Sequence, residues 1–147
     1  MSATLQDWER NGWLARHEPT REGVRSLLDL AERDIENSEA EGLGADWRLS
    51  IAYNAALQAA AAVLEACGYR AARDAHHYRV IESLRLTMGA DDKIVLPLDR
   101  LRQKRNIGIY ARAGNVSDKE AEAAQRLARK IKDAAEVWLT TNHPELM

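Results

Sequence analysis

The side chains best suited to bind phosphate lie close together in one short basic segment of the chain. Four of them are cationic and fall within six positions: Arg100, Arg102, Lys104 and Arg105. Residues four apart on a helix lie one above the other, so Arg102, Asn106 and Tyr110 are expected to form a polar column. Arg102 and Arg105 lie about one helical turn apart, which would let two guanidinium groups bind a phosphate from two directions. The segment therefore predicts an anion-binding site, with Lys104 as a further phosphate-binding group.

An exposed, Arg-rich helix face would give the same pattern without forming any site. Leu98, Leu101 and Ile109 occupy the neighbouring face, so this helix is expected to have an ordinary buried seam beside its polar column. The sequence leaves both interpretations open.

The composition is typical of a single all-α domain. The chain has 147 residues, only 8 Gly and 3 Pro, and no Phe, so its core must rest on Leu, Ile, Ala and Trp. One cysteine, Cys67, excludes an internal disulfide, and no motif supplies a metal cluster or a cofactor site. We expect neither a signal peptide nor a membrane span, and therefore a cytoplasmic protein.

The net charge of −2 hides an uneven distribution. Residues 1–69 carry 6 Lys and Arg against 12 Asp and Glu, whereas residues 70–112 carry 10 against 5. The overall charge does not favour a general nucleic-acid coat protein. The basic middle segment either contacts acidic surface, in the same chain or across a dimer, or faces phosphate.

The spacing of apolar residues predicts an up-and-down bundle of about five to six helices. A single domain is expected over residues 1–147, with its core at about 20–140 and an N-terminal helical extension at 1–18. Helices are expected at about residues 5–15, 20–42, 46–67, 74–88, 92–110 and 117–143. Asp46 and Asp74 are candidate N-caps, and Pro97 either kinks the fifth helix or marks its start. Ser117 and Glu120 have the spacing of a capping box.

These segments together resemble the HEPN superfamily (higher eukaryotes and prokaryotes nucleotide-binding domains) over about residues 20–140. The resemblance rests on the following short motifs: Ala-Tyr-Asn-Ala at 52–55, Gly-Tyr-Arg at 68–70, His-His-Tyr-Arg at 76–79, Ile-Glu-Ser-Leu at 81–84 and Leu-Arg-x-Lys-Arg-Asn-x-x-x-Tyr at 101–110. The resemblance implies a small helical bundle that dimerises. Many members are metal-independent ribonucleases of toxin–antitoxin, phage-defence or CRISPR systems.

The resemblance also implies roles for individual residues. Members carry Arg, then four to six residues, then His, paired across the dimer interface. Arg105 matches the signature arginine and Asn106 the polar residue that follows it, but Tyr110 stands where the histidine would be. A phenol has a reference pKa near 10 and is a poor general base at neutral pH. His77 is a candidate replacement if it lies opposite the face that carries Arg105 and Tyr110; otherwise it simply packs against the bundle.

Two functions follow as hypotheses. In the first, the protein is the RNA-targeting or nucleotide-binding member of a toxin–antitoxin or defence module, with Arg105 stabilising the phosphorane charge and His77 or Tyr110 relaying the proton. In the second, it is a non-catalytic homodimer that binds a partner protein such as a nucleotidyltransferase. Trp8 and Trp13 either pack in the core or a dimer contact, or provide a surface on which nucleotides stack.

Overall fold

The protein is an all-α helical bundle, as the sequence predicted. The computed structural model describes residues 3–110 and 116–147, with side chains in the fifth helix described as far as Arg105. The elements in this part of the chain are α1 (Leu5–Arg10), β1 (Leu14–Arg16), α2 (Arg21–Ser38), α3 (Ala45–Ala66), β2 (Tyr69–Ala71), α4 (His76–Thr87), α5 (Asp92–Tyr110), α6 (Asp118–Asn142) and a 3₁₀ turn (Pro144–Leu146).

Helix α3 is the centre of the bundle. It packs mainly against α2 and α6, and also contacts α4 and α5. Its alanines at positions 52, 55, 56, 59, 60 and 62 are fully buried, and such small side chains let neighbouring helices approach closely. Tyr53 is buried among them and is the largest fully enclosed side chain of the described residues. The alanine-rich sequence thus puts one tyrosine in the middle of the core.

Helix α3 is also the one described helix whose length and apolar composition would suit a membrane span. Within the bundle, 67% of its most apolar stretch is buried against other helices. This pattern is typical of the core helix of a globular protein, because apolar residues occupy more than one face of such a helix.

The expected N-cap is correct for α6 but not for α3 and α4. Ser117 caps α6 and forms a capping box with Glu120, with backbone-to-side-chain hydrogen bonds of 3.0 and 3.1 Å. The N-cap of α3 is Gly44 instead of Asp46, and α4 follows Ala75, which adopts a left-handed conformation, instead of Asp74. Pro97 lies inside α5, where the missing N–H removes one helical hydrogen bond.

The N-terminal extension differs from the single helix that was expected over residues 5–15. Helix α1 ends at Arg10, and Gly12 then adopts φ +77°, which turns the chain. Leu14–Arg16 continues as strand β1 and pairs antiparallel with β2, with Ala15 opposite Arg70. A strand of three residues is too short to show alternating apolar and polar positions, so no periodic pattern in the sequence predicts it.

Candidate functional site

Tyr53 and His77 form a polar contact between α3 and α4. The Tyr53 hydroxyl lies 3.2 Å from Nδ1 of His77, and the two ring centroids are 5.9 Å apart. Burial raises the pKa of Tyr53 to about 12, against the lowering effects of Arg105 and Arg102. The phenol is therefore protonated at neutral pH. It either donates to Nδ1 or accepts from Nδ1–H, according to the tautomer of the imidazole.

His77 lies in the first turn of α4 and is half-buried. Burial lowers its pKa below the usual value, and electrostatic repulsion from Arg105, His76 and Arg102 lowers the pKa further. Removal from water and nearby positive charge both disfavour the imidazolium form. The side chain is consequently neutral near pH 7, which is the form that can accept a proton.

Arg105 approaches the same tyrosine from α5. Its guanidinium carbon lies 5.5 Å from the centre of the Tyr53 ring, a distance at which a cation is attracted to the ring face. Its Nε atom is buried and forms no hydrogen bond with any described residue. Tyr53 thus contacts an imidazole through its hydroxyl group and a guanidinium through its ring, which joins α3, α4 and α5.

Arg102 lies beside this group but already has an acidic partner. Its Nε donates to Oδ1 of Asp99 at 2.7 Å, which raises the pKa of the guanidinium, and its guanidinium carbon lies 5.5 Å from the Tyr78 ring centre. Gln103 donates to the other Asp99 oxygen at 2.9 Å. Asp99 therefore orients Arg102 and offsets part of its charge.

Lys104 lies 3.3 Å from Oε2 of Glu120 and so connects α5 to the capping box of α6. An anion would have to compete with Glu120 for this ammonium group. Arg100 is exposed on the same helix. The side chains of Asn106 and Tyr110 lie outside the described residues, so their expected roles in the polar column stay predictions.

Two aromatic residues of this site had no assigned role in the sequence interpretation. Tyr53 is conspicuous in the sequence as a tyrosine within an alanine-rich helix, and this contrast is the signal that could have identified it. Tyr78 follows His77 directly and is 37% exposed, next to Arg102. The sequence could not pair either residue with the basic segment, because the contacts join different helices and depend on how those helices pack.

The two N-terminal tryptophans pack around Arg79, which lies two residues after His77. Trp8 is buried and Trp13 half-buried, with ring centroids 5.7 Å apart in an edge-to-face arrangement. Both rings lie within 6 Å of the Arg79 guanidinium. These contacts fit a packing role for the two tryptophans and not a surface on which nucleotides stack.

Other reactive side chains offer less chemistry. Burial raises the pKa of Cys67 to about 11, so its thiol is a poor nucleophile at neutral pH. His17 contacts the buried carboxylate of Glu65 at 2.7 Å. Within residues 3–110 and 116–147, no group of three or more His, Cys, Asp or Glu is arranged to hold a metal ion.

We call Tyr53, His77, Arg102 and Arg105 the Tyr53 cluster. The cluster combines a neutral imidazole with two fixed guanidinium groups, a set that can bind a phosphate and move a proton. No protein-family model, curated protein or solved structure matches this chain.

Proposed function

We propose that the protein is an RNA-targeting, HEPN-like domain that binds an RNA phosphate at the Tyr53 cluster. One observation carries the proposal: His77 and Arg105, from two different helices, contact the hydroxyl group and the ring of one buried tyrosine. A buried tyrosine holds both groups in fixed positions, because its own side chain cannot move without disturbing the packed core. Such fixed positions favour recognition of an anion.

The resemblance to HEPN domains supports RNA as the ligand. The motif supplies the arginine but has Tyr110 in place of the histidine, and His77 is the side chain that would replace it. The lowered pKa of His77 suits a proton acceptor for a ribose 2′-hydroxyl group at neutral pH. In the tautomer with hydrogen on Nδ1, the Tyr53 oxygen accepts a hydrogen bond from Nδ1–H, and Nε2 is left as the base. Arg105 would stabilise the negative charge of the transition state.

The proposal is tested first by binding. We expect a short, fluorescently labelled single-stranded RNA to bind the protein with an affinity that falls as salt rises, because phosphate contacts release counterions. Arg105→Ala should weaken binding about tenfold or more, since it removes a guanidinium held beside a low-dielectric core. The matched control is Arg100→Ala on the same helix, where the side chain is exposed and the loss should stay below about twofold. Equal effects of the two variants would contradict the assignment of the site.

Cleavage is the second test. If His77 is the base, the wild-type protein cleaves RNA in EDTA, and His77→Gln abolishes cleavage while leaving binding within about twofold. Tyr53→Phe removes the hydroxyl group that selects the His77 tautomer, so it should reduce the cleavage rate, but by less than His77→Gln does. Binding that depends on Arg105, without cleavage by wild-type protein, would leave an RNA-binding domain that is not a nuclease.

A second candidate function is a non-catalytic dimeric module that binds a partner such as a nucleotidyltransferase. Two ion pairs favour this function. Arg102 is paired with Asp99 and Lys104 with Glu120, so two cationic groups of the motif are less able to bind phosphate. In this case we expect stable co-purification with the partner and no toxicity on overexpression. Toxicity that depends on Arg105 would favour the nuclease of a toxin–antitoxin module instead.

A further inference from the structure

A buried carboxylate, that of Glu65, lies near the end of α3. Its side chain is only 5% exposed, whereas glutamate is almost never fully buried in proteins unless it is paired. Nε2 of His17 lies 2.7 Å from Oε1 of Glu65, and Nη2 of Arg70 lies 3.4 Å from the same oxygen. The proposed function uses none of these three side chains.

The cation that faces Glu65 compensates the buried charge only in part. Arg70 is 60% exposed, and its contact is longer than a typical hydrogen bond, so water screens the attraction. Taking a carboxylate out of water is costly unless a close cation or several donors replace the water. Both described partners contact Oε1, so Oε2 keeps its capacity to accept hydrogen bonds. A cationic group bound at Oε2 would complete the compensation.

Glycine at position 23 makes room for this carboxylate at the start of α2. A Cβ atom at Gly23 would lie 2.9 Å from Oε1 of Glu65 and 3.0 Å from Oγ1 of Thr20, closer than nonbonded atoms approach. Glycine inside a helix is otherwise unfavourable, because it loses more conformational freedom on folding than alanine does. The close approach of the two helices therefore accounts for the glycine and fixes the position of the carboxylate.

Glu65 lines an open cleft between α2, α3, β2 and the first turns of α4. The cleft has a volume of about 440 Å³, and its walls include Leu27, Leu30, Leu64 and Val80. Sites for small molecules have volumes in this range and combine mainly apolar walls with a few polar groups that orient the ligand. Two charged side chains, Glu65 and Arg70, line the cleft, and of these Glu65 is the buried one. The cleft thus offers an apolar surface next to a negative charge.

We propose that this cleft binds a small organic cation, a molecule with an amidinium or ammonium group on an apolar body. The cationic group pairs with Oε2 of Glu65 through charge-assisted hydrogen bonds, and the apolar body contacts the leucine side chains. A neutral ligand would leave the buried charge partly uncompensated, and an anion would be repelled. The Tyr53 cluster carries two guanidinium groups and attracts anions, so the two sites select ligands of opposite charge.

Three ligands of nearly the same shape but different charge test the proposal on the full chain. Benzamidine is a planar cation, benzamide is its neutral analogue and benzoate is the corresponding anion. In NMR titrations near pH 7, we expect benzamidine to shift the amide signals of Ala61, Leu64 and Ala71 with a Kd of about 1 mM, which is typical of so small a ligand. Benzamide should bind about tenfold more weakly or worse, and benzoate should cause no shift.

Substitutions locate the binding. Glu65→Gln keeps the size of the side chain and should weaken benzamidine binding about tenfold or more, since it removes the negative charge. The matched control is Glu22→Gln, which makes the same change of net charge at an exposed position next to Gly23 and should alter the Kd by less than about twofold. Ser26→Trp, at an exposed position that lines the cleft, should block binding while Glu65 and the far-UV circular dichroism stay unchanged.

Three results would overturn the proposal. The first is the absence of signal changes at millimolar benzamidine. The second is equal binding of benzamidine and benzamide, and the third is binding that persists in Glu65→Gln or Ser26→Trp. In each case Glu65 would serve only to attach His17 and the N-terminal segment to α3. Because none of these measurements involves RNA, they succeed or fail independently of the proposed function.

Discussion

The guanidinium carbon of Arg79 lies 3.5 Å from the centre of the Trp13 ring. The contact joins the N-terminal segment to the first turns of α4, two residues beyond His77. The start of α4 has no side-chain cap, because its N-cap residue is Ala75 in a left-handed conformation. Tertiary contacts such as this one must therefore hold the first turn of α4, since a capping side chain does not.

We expect Arg79 and Trp13 to be energetically coupled. In a double-mutant cycle with Arg79→Met and Trp13→Leu, the coupling free energy of unfolding should be about 1 kcal/mol, the size of a partly desolvated cation–π contact. Urea denaturation of the four proteins measures it. As a control, Trp47 is 66% exposed, and Trp47→Leu should change stability by less than about 0.5 kcal/mol. A coupling energy near zero would show that the contact does not hold the N-terminal segment.

The pKa of His77 should rise when Arg105 is made neutral. Burial is the largest cause of the lowered pKa, and Arg105 is the second, so Arg105→Gln should raise the pKa only part of the way to its usual value of 6.5. The NMR titration of the His77 ring measures the change. Arg25→Gln on α2 serves as the control. If Arg105→Gln leaves the titration midpoint unchanged, the guanidinium does not lie close enough to act on the imidazole.

The same lowered pKa makes folding depend on pH, with a definite sign. Below pH 6.5, a larger fraction of His77 is protonated in the unfolded chain than in the folded protein. The unfolded state therefore binds more protons. The free energy of unfolding should therefore rise with pH from the folded-state pKa up to about 6.5 and then show no further contribution from His77. His77→Gln should remove this part of the pH dependence. An unchanged pH profile in that variant would be inconsistent with a buried, neutral imidazole.

Glu32 should contribute to stability at neutral pH and lose that contribution in acid. Hydrogen bonds from Arg129 at 2.7 and 3.0 Å, and then from Lys132 at 2.8 Å, lower its pKa to about 2. The folded state thus binds fewer protons than the unfolded state between about pH 4.5 and 2, so stability falls as pH falls through this range.

Glu32→Gln should lower the free energy of unfolding by about 1–2 kcal/mol near pH 7, after allowance for solvent screening of a carboxylate that is one-third exposed. The difference from wild type should shrink toward zero near pH 2. Chemical denaturation across this range provides the measurement, and Glu36→Gln, an exposed position one turn along α2, is the control. A difference that persists in acid would mean that the effect of Glu32 is due to packing and not to its charge.

The sequence predicted the helices because their signals are local. The row of residues Val24, Leu28, Ala31 and Ile35 repeats with the helical period and is buried in α2 as that period requires. The capping box of α6 depends on two residues three apart, so it is equally readable from the sequence. The two short strands and the left-handed Ala75 have no such local signature, because long-range pairing and the surrounding contacts determine them.

The candidate site was predictable only in part, for the same reason. The basic segment of α5 predicts Arg102 and Arg105 as phosphate-binding residues, and the resemblance leaves His77 as a candidate replacement for the motif histidine. Tyr53, which contacts both His77 and Arg105, lies 24 positions before His77, and its hydroxyl partner depends on how α3 and α4 pack. The acidic partners of Arg102 and Lys104, which are Asp99 and Glu120, likewise follow only from side-chain geometry. Each of these carboxylates reduces the capacity of the motif to bind an anion.

Tyr110 occupies the position of the histidine in the motif that the chain resembles. Tyr110→His would restore the order Arg105, four residues, His, and would add a group that titrates near pH 6.5 beside a guanidinium. If the wild-type protein is a weak nuclease because it lacks this imidazole, the variant should gain RNA cleavage that persists in EDTA and disappears when Arg105→Ala is added. Gel analysis of a labelled RNA over time measures both forms.

Strong cleavage by wild-type protein would instead indicate that His77 already transfers the proton, and His77→Gln would then abolish cleavage. If neither form cleaves RNA, the site lacks more than one side chain of a nuclease, and the dimeric interaction module becomes the better account.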